Sequence, residues 1–172
     1  MKKMLVFVTV VLFIGAFSLS AAPINIFGNL GIATSDFEGM FMDIGAEMQL
    51  SGPIWGQVVF DYYFNPSGAN LPAGVSDSAY GGFLYGVFKN AMNNKTNLFA
   101  KAGVGYTTYE ISFLGIGVSA SAFGLGGGAG IEYKVAPKMA ILAGGTFKML
   151  FDEGETMNIF KIYVGLSYQV GN

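Results

Sequence analysis

The stretch Met40-Phe41-Met42-Asp43-Ile44-Gly45-Ala46-Glu47-Met48-Gln49-Leu50 decides the fold. Met42, Ile44, Ala46, Met48 and Leu50 fill every second position, and Asp43, Gly45, Glu47 and Gln49 fill the places between. A helix would spread those five apolar side chains around its circumference. A strand collects them on one face and the carboxylates on the other.

The same period of two recurs on both sides of this stretch. Upstream, Ile24, Ile26, Leu30 and Ile32 oppose Asn25 and Asn29 within 24–33. Downstream it returns at 54–64, 79–89, 98–109, 122–134, 139–150 and 159–170. In the last of these, Phe160, Ile162, Val164, Leu166, Tyr168 and Val170 oppose Lys161, Gly165, Ser167 and Gln169. Each segment runs about 10–12 residues, the length a strand tilted near 45° needs to cross a bilayer. Strands of soluble proteins are usually half as long. Eight such segments predict an all-β fold: an antiparallel, up-and-down transmembrane barrel with both termini on one side, which in bacterial barrels is the periplasm.

The connections fit this count. Ser51-Gly52-Pro53 and Val135-Ala136-Pro137 read as tight turns, and 90–97 as a longer polar one. They alternate with 34–39, 65–78, 112–121 and 152–156, of which 65–78 and 112–121 read as long extracellular loops. Charge sorts with them. Asp36, Glu38, Asp77, Asp152, Glu153 and Glu155 fall on the loop side; Lys89, Lys95, Lys134 and Lys138 fall on the turn side.

Which way the faces point follows from the solvent. In hydrocarbon every backbone polar group must be paired internally, so strands span only by closing on themselves. The apolar face is Val, Ile, Leu, Met, Phe and Tyr, and the opposite face is Gly, Ser, Thr, Gln, Asp, Glu and Lys. A soluble barrel would hold its apolar face inside. Here the apolar face is read as facing lipid. Tyr62, Phe64, Tyr80, Phe123 and Phe147 near the upper strand ends, and Tyr133 and Tyr168 near the lower, would form the aromatic girdles. A soluble periplasmic ligand-binding barrel is the architectural alternative.

Composition narrows the chemistry. Of 172 residues 52% are hydrophobic and only 12% charged, yet after residue 20 no run approaches the ~18 apolar residues of a spanning helix. Cys and His are absent, and all nine basic residues are Lys. That removes disulfides, thiol chemistry, Ser-His or Asp-His catalysis and the commonest metal ligand. No catalytic residue, cofactor or metal site is read from the chain, and a net charge of −2 gives no basic face for nucleic acid. The match to GxGxxG/A at 124–129 lies inside a strand, where no helix follows to hold a pyrophosphate.

The N-terminus reads as an address. Lys2 and Lys3 precede an apolar run, Met4 to Phe17, and small residues follow it. Residues 1–20 are expected to be a signal peptide, cleaved after Ser20 or alternatively after Ala22, and 21–172 the barrel.

The chain resembles the small outer-membrane β-barrels of the outer-membrane protein A membrane-domain and outer-membrane protein X type. The resemblance rests on the leader, the eight alternating strands, the short-turn and long-loop alternation, and the end of the last strand. Gly165, Tyr168 and Val170 are similar to the family's C-terminal insertion signal, although Val164 stands at a usually polar position and Gly171-Asn172 follows. What this implies is a monomer integral to the outer membrane, contacting its lipid and lipopolysaccharide, and delivered by the barrel-assembly machinery. An unknown extracellular ligand of the acidic loops is a further implied partner.

The inward charges are the candidate site: Asp43, Glu47, Asp61, Lys101, Glu132, Lys148 and Lys161. Counted from strand ends, Asp43, Asp61, Lys148 and Lys161 should form an upper layer. Glu47, Lys101 and Glu132 should form a lower one, with Lys101 and Glu132 on adjacent strands. Two readings follow: a side-chain plug in a non-enzymatic structural or surface-interaction barrel, or a small-solute or ion pore gated by internal salt bridges.

Overall fold

The computed structural model describes residues 23–66, 75–114, 116–152 and 154–171, so the expected leader lies outside the described residues. Eight strands follow one another: β1 (Ile24–Ser35), β2 (Gly39–Ser51), β3 (Ile54–Phe64), β4 (Val75–Ala91), β5 (Thr96–Phe113), β6 (Ile116–Ala136), β7 (Met139–Asp152) and β8 (Glu155–Val170). Each pairs antiparallel with the next, and β8 returns to β1 to close the barrel. The closing seam runs from Ile24 opposite Val170 to Ser35 opposite Ile159, so the ladder leaves no open edge along it.

The alternation sorts side chains as the sequence pattern requires. In β2, Phe41, Asp43 and Glu47 are buried, whereas Met40, Met42 and Ile44 are exposed, Ile44 by 55%. In β8, Ile162, Val164, Leu166 and Tyr168 point out, while Lys161, Tyr163 and Ser167 are buried. An outer surface of exposed Ile, Leu, Val, Met and Phe on every strand is far larger than any patch a soluble monomer tolerates. It is a surface made for hydrocarbon. Tyr62, Phe64, Phe123 and Phe147 lie exposed toward one end, and Tyr133 and Tyr168 toward the other.

The interior departs from a purely small and polar face. Phe27, Phe41, Tyr63, Phe83, Tyr85, Phe99 and Tyr163 are all buried in it. Six of these rings sit directly across the ladder from a glycine. Phe27 faces Gly45, Phe41 faces Gly31, Phe83 faces Gly105, Tyr85 faces Gly103, Phe99 faces Gly130, and Tyr163 faces Gly144. A Cβ on Gly45 would lie 2.4 Å from the Phe27 ring, and one on Gly105 would lie 2.4 Å from that of Phe83. The glycines are slots into which the neighbouring strand lays its aromatic side chain. This explains why so narrow a barrel holds so many rings.

The 112–121 connection also differs from the expected loop. β5 and β6 stay paired up to Phe113 opposite Ile116, making strands of 18 and 21 residues. The period of two continues through Tyr109, Ile111 and Phe113 and back through Ile116, Val118 and Ala120. The Ala, Gly and Ser around them mask it. β6 pairs with β7 only from Phe123, whereas β4 stays beside β5 up to Val75 opposite Phe113, so the end of this hairpin rises above the rim as a ribbon flanked by β4, with β6 as its open edge.

Candidate functional site

Toward the loop end, strand register places Asp43 of β2 directly opposite Asp61 of β3. Two carboxylates facing each other across a ladder repel, so the arrangement persists only if cations bridge them. Lys161 of β8 reaches across the lumen and donates to Asp43 Oδ1 at 2.6 Å and to Asp61 Oδ1 at 2.5 Å. Lys148 of β7 donates to Asp61 Oδ2 at 2.5 Å. All four side chains are buried to within a few per cent. Each ammonium also rests on an aromatic face: Lys161 lies 3.9 Å from the Phe41 centroid, and Lys148 lies 3.8 Å from that of Phe83. A cation over a ring recovers part of the solvation it lost on burial.

Toward the end where β1 begins and β8 finishes, Glu47 of β2 and Glu132 of β6 share a single cation, Lys89 of β4. Lys89 donates to Glu132 Oε2 at 2.6 Å and also to Glu47 Oε1. Asn97 donates to the other Glu132 oxygen at 2.9 Å, whereas on Glu47 Asn25 donates to the same Oε1 at 2.9 Å and Gln57 reaches Oε2 at 3.4 Å. Trp55 packs its ring 4.5 Å from the Lys89 nitrogen.

Lys101 of β5 lies between these two clusters. It stands 4.8 Å from the Tyr85 centroid and 5.2 Å from that of Tyr163, and makes no ion pair among the described residues. The expected approach of Lys101 to Glu132 does not occur. Register pairs Glu132 with Asn97 and Lys101 with Gly128, which separates the two by four residues, roughly 13 Å of strand. The cation of the lower cluster is instead Lys89, which the sequence pattern groups with the lysines of the turn side. Its signal was phase: Lys89 follows Phe83, Tyr85 and Val87 on the inward side of β4. The lumen thus holds Asp43, Glu47, Asp61 and Glu132 against Lys89, Lys101, Lys148 and Lys161 and is neutral as a whole.

Above the upper cluster, Phe37 from the β1–β2 connection covers the lumen. Its ring meets Tyr63 edge-on at 5.2 Å and Tyr109 at 5.8 Å. Its backbone is tied on both sides: Asp36 N–H donates to Asn158 O at 2.9 Å, and Glu38 N–H to Pro66 O at 2.7 Å. Gly165, Tyr168 and Val170 lie at the end of β8 beside β1, Tyr168 and Val170 pointing outward.

The architecture defines a class, the eight-stranded transmembrane barrel. Solved outer-membrane barrels of that class are closely similar in fold. Neisserial surface protein A superposes with a TM-score of 0.72 at 15% identity, covering 88% of this chain and 98% of the other. A major outer-membrane protein of Thermus thermophilus gives 0.66 at 13%, covering 88% and 100%. The N-terminal β-barrel domain of Pseudomonas aeruginosa OprF gives 0.63 at 9%, covering 87% and 96%. No protein-family model and no curated protein matches the sequence.

Proposed function

We propose that this protein is a non-enzymatic, integral outer-membrane barrel whose lumen is plugged by its own side chains, and whose working part is the surface at its loop end. The termini lie on the periplasmic side in this reading. What carries it is the filling of the interior. Two ion-pair clusters, the Lys101 side chain between two tyrosines and the Phe37 cap occupy the axis in succession. An eight-stranded barrel encloses just enough space for side chains, so these tiers leave no continuous aqueous path. The absence of His and Cys from the chain supports a role without catalysis. In planar bilayers the purified protein is expected to give no discrete conductance steps; regular single-channel events in the wild type would overturn the plug.

One observation favours the ion-pore reading as a second one: Lys101 is a buried cation standing on tyrosine rings between two ion-pair clusters. If it is the gate, Lys101→Ala opens steps that the wild type lacks. A silent variant rejects the gate and leaves the plug.

A further inference from the structure

The β5–β6 ribbon has two unlike faces. Ile111 pairs with Val118 and Phe113 with Ile116, so all four lie on one face, in line with Tyr109 and Ala120 below them. Glu110, Ser112 and Ser119 lie on the other. Tyr109 touches the Phe37 cap, which fixes the apolar face as the one turned toward the barrel axis. In this position apolar residues belong against a packed neighbour. Instead Ile116 is 76% exposed, Val118 75% and Phe113 53%.

At the foot of the ribbon a cavity of about 110 Å³ opens into the mouth, lined by Phe37, Thr107, Tyr109, Ala122, Leu150 and Met157 among others. Thr107 is 2% exposed, and its hydroxyl has no hydrogen-bond partner among the described residues. A buried hydroxyl left unpaired is unfavourable, and a ligand carbonyl or amide at this spot would relieve it. Asp152 and Glu155, from the β7–β8 turn, flank the opening. Around them stand Asp36, Glu38 and Asp77, and among the described residues no Lys lies at this end of the barrel, since Lys148 and Lys161 are buried in the lumen. An apolar wall, a buried polar atom at its base and a rim of one sign specify both halves of a ligand. The acidic rim repels phosphate-bearing lipid headgroups and attracts amines.

We propose that the loop-end mouth is a binding cleft for a cationic amphipathic peptide, whose apolar side chains cover the ribbon face and whose amines meet Asp152 and Glu155. This rests on the surface-interaction reading above and names its partner. The cleft binds by shape and charge in purified protein, so the test depends neither on which side of the membrane it faces nor on conductance.

The test is fluorescence anisotropy of a labelled eight-residue peptide of alternating Leu and Lys against the barrel in zwitterionic nanodiscs, with empty nanodiscs subtracted. The wild type is expected to bind in the micromolar range and to weaken as salt rises from about 0.05 to 0.5 M, as the Debye length shrinks. Ile116→Ser with Val118→Ser should weaken binding about tenfold, the usual effect of removing apolar anchors. Asp152→Asn with Glu155→Gln should weaken binding and reduce its salt dependence. Ser119→Ala, on the polar face of the ribbon, should change nothing. Heat-modifiable gel mobility checks that each variant is folded. The proposal falls if the wild type does not bind, if a Leu and Glu analogue binds as tightly, or if the folded ribbon variants bind like the wild type.

Discussion

Lys161 holds together what the backbone would otherwise push apart. Asp43 and Asp61 are fixed opposite each other by the β2–β3 register, and a single ammonium donates to both. Removing one partner of a buried ion pair leaves its counter-charge unpaired and costs about 3–5 kcal/mol, whereas replacing the whole set with apolar groups is often neutral. Lys161→Met is therefore expected to lower stability by about that amount. Adding Asp43→Asn and Asp61→Asn, with Lys148→Met, should recover most of the loss. Trp55 is the lone tryptophan and packs beside Lys89, so its fluorescence in a urea titration reports global unfolding in each variant. If the single variant costs no more than the set, the upper cluster is not a coupled unit. Lys89 teaches a related lesson. A lysine next to a turn looks solvated, but four methylenes let it reach inward, and only its phase with Tyr85 and Val87 shows where it goes.

The strands were legible because a single fact, the alternation, carries both their location and their facing. Asp43, Asp61, Lys148 and Lys161 could be placed on one level because each is in phase with the inward side of its own strand. Register between strands was not legible, because it depends on turn geometry and bulges such as the one at Gln49–Ser51. That is why Lys101 was placed in the lower layer with Glu47 and Glu132, although it pairs with neither. The aromatic rings went unnoticed beside the charges, although six of the seven pair with a glycine that the sequence displays. The β5–β6 hairpin shows how far one element can serve two environments. Leu125 and Val118 belong to the same strand, but Leu125 faces outward within the paired belt and Val118 lies on the ribbon above it. Leu125→Lys should cost about 2–4 kcal/mol, the range for a lysine forced into the bilayer core, and Val118→Lys should cost nearly nothing. Equal costs in the same urea titration would mean that the ribbon is embedded or that the belt is not.

Over the whole molecule, charge is sorted along the barrel axis. Among the described residues, acids stand at the loop end, the lumen balances its own, and Lys95, Lys134 and Lys138 stand at the end where β1 begins and β8 finishes. An apolar belt separates the two poles, so the molecule has a preferred way of sitting between unlike aqueous compartments. The hairpin turns at the lysine end are short, and the long ribbon rises from the acidic end, the asymmetry expected of periplasmic turns and extracellular loops. Because the chain has no cysteine, a single one can be introduced and read without background. Leu114→Cys marks the tip of the ribbon, where the side chain is 75% exposed, and Lys138→Cys marks the opposite pole. With a membrane-impermeant maleimide, intact cells are expected to label position 114 at once and position 138 only after the outer membrane is opened. Labelling in the reverse order would turn the barrel over and place the acidic cleft in the periplasm. Equal labelling in intact cells would mean that the belt does not lie in a membrane, because only a sealed bilayer can keep one pole of so short a barrel from a reagent that reaches the other.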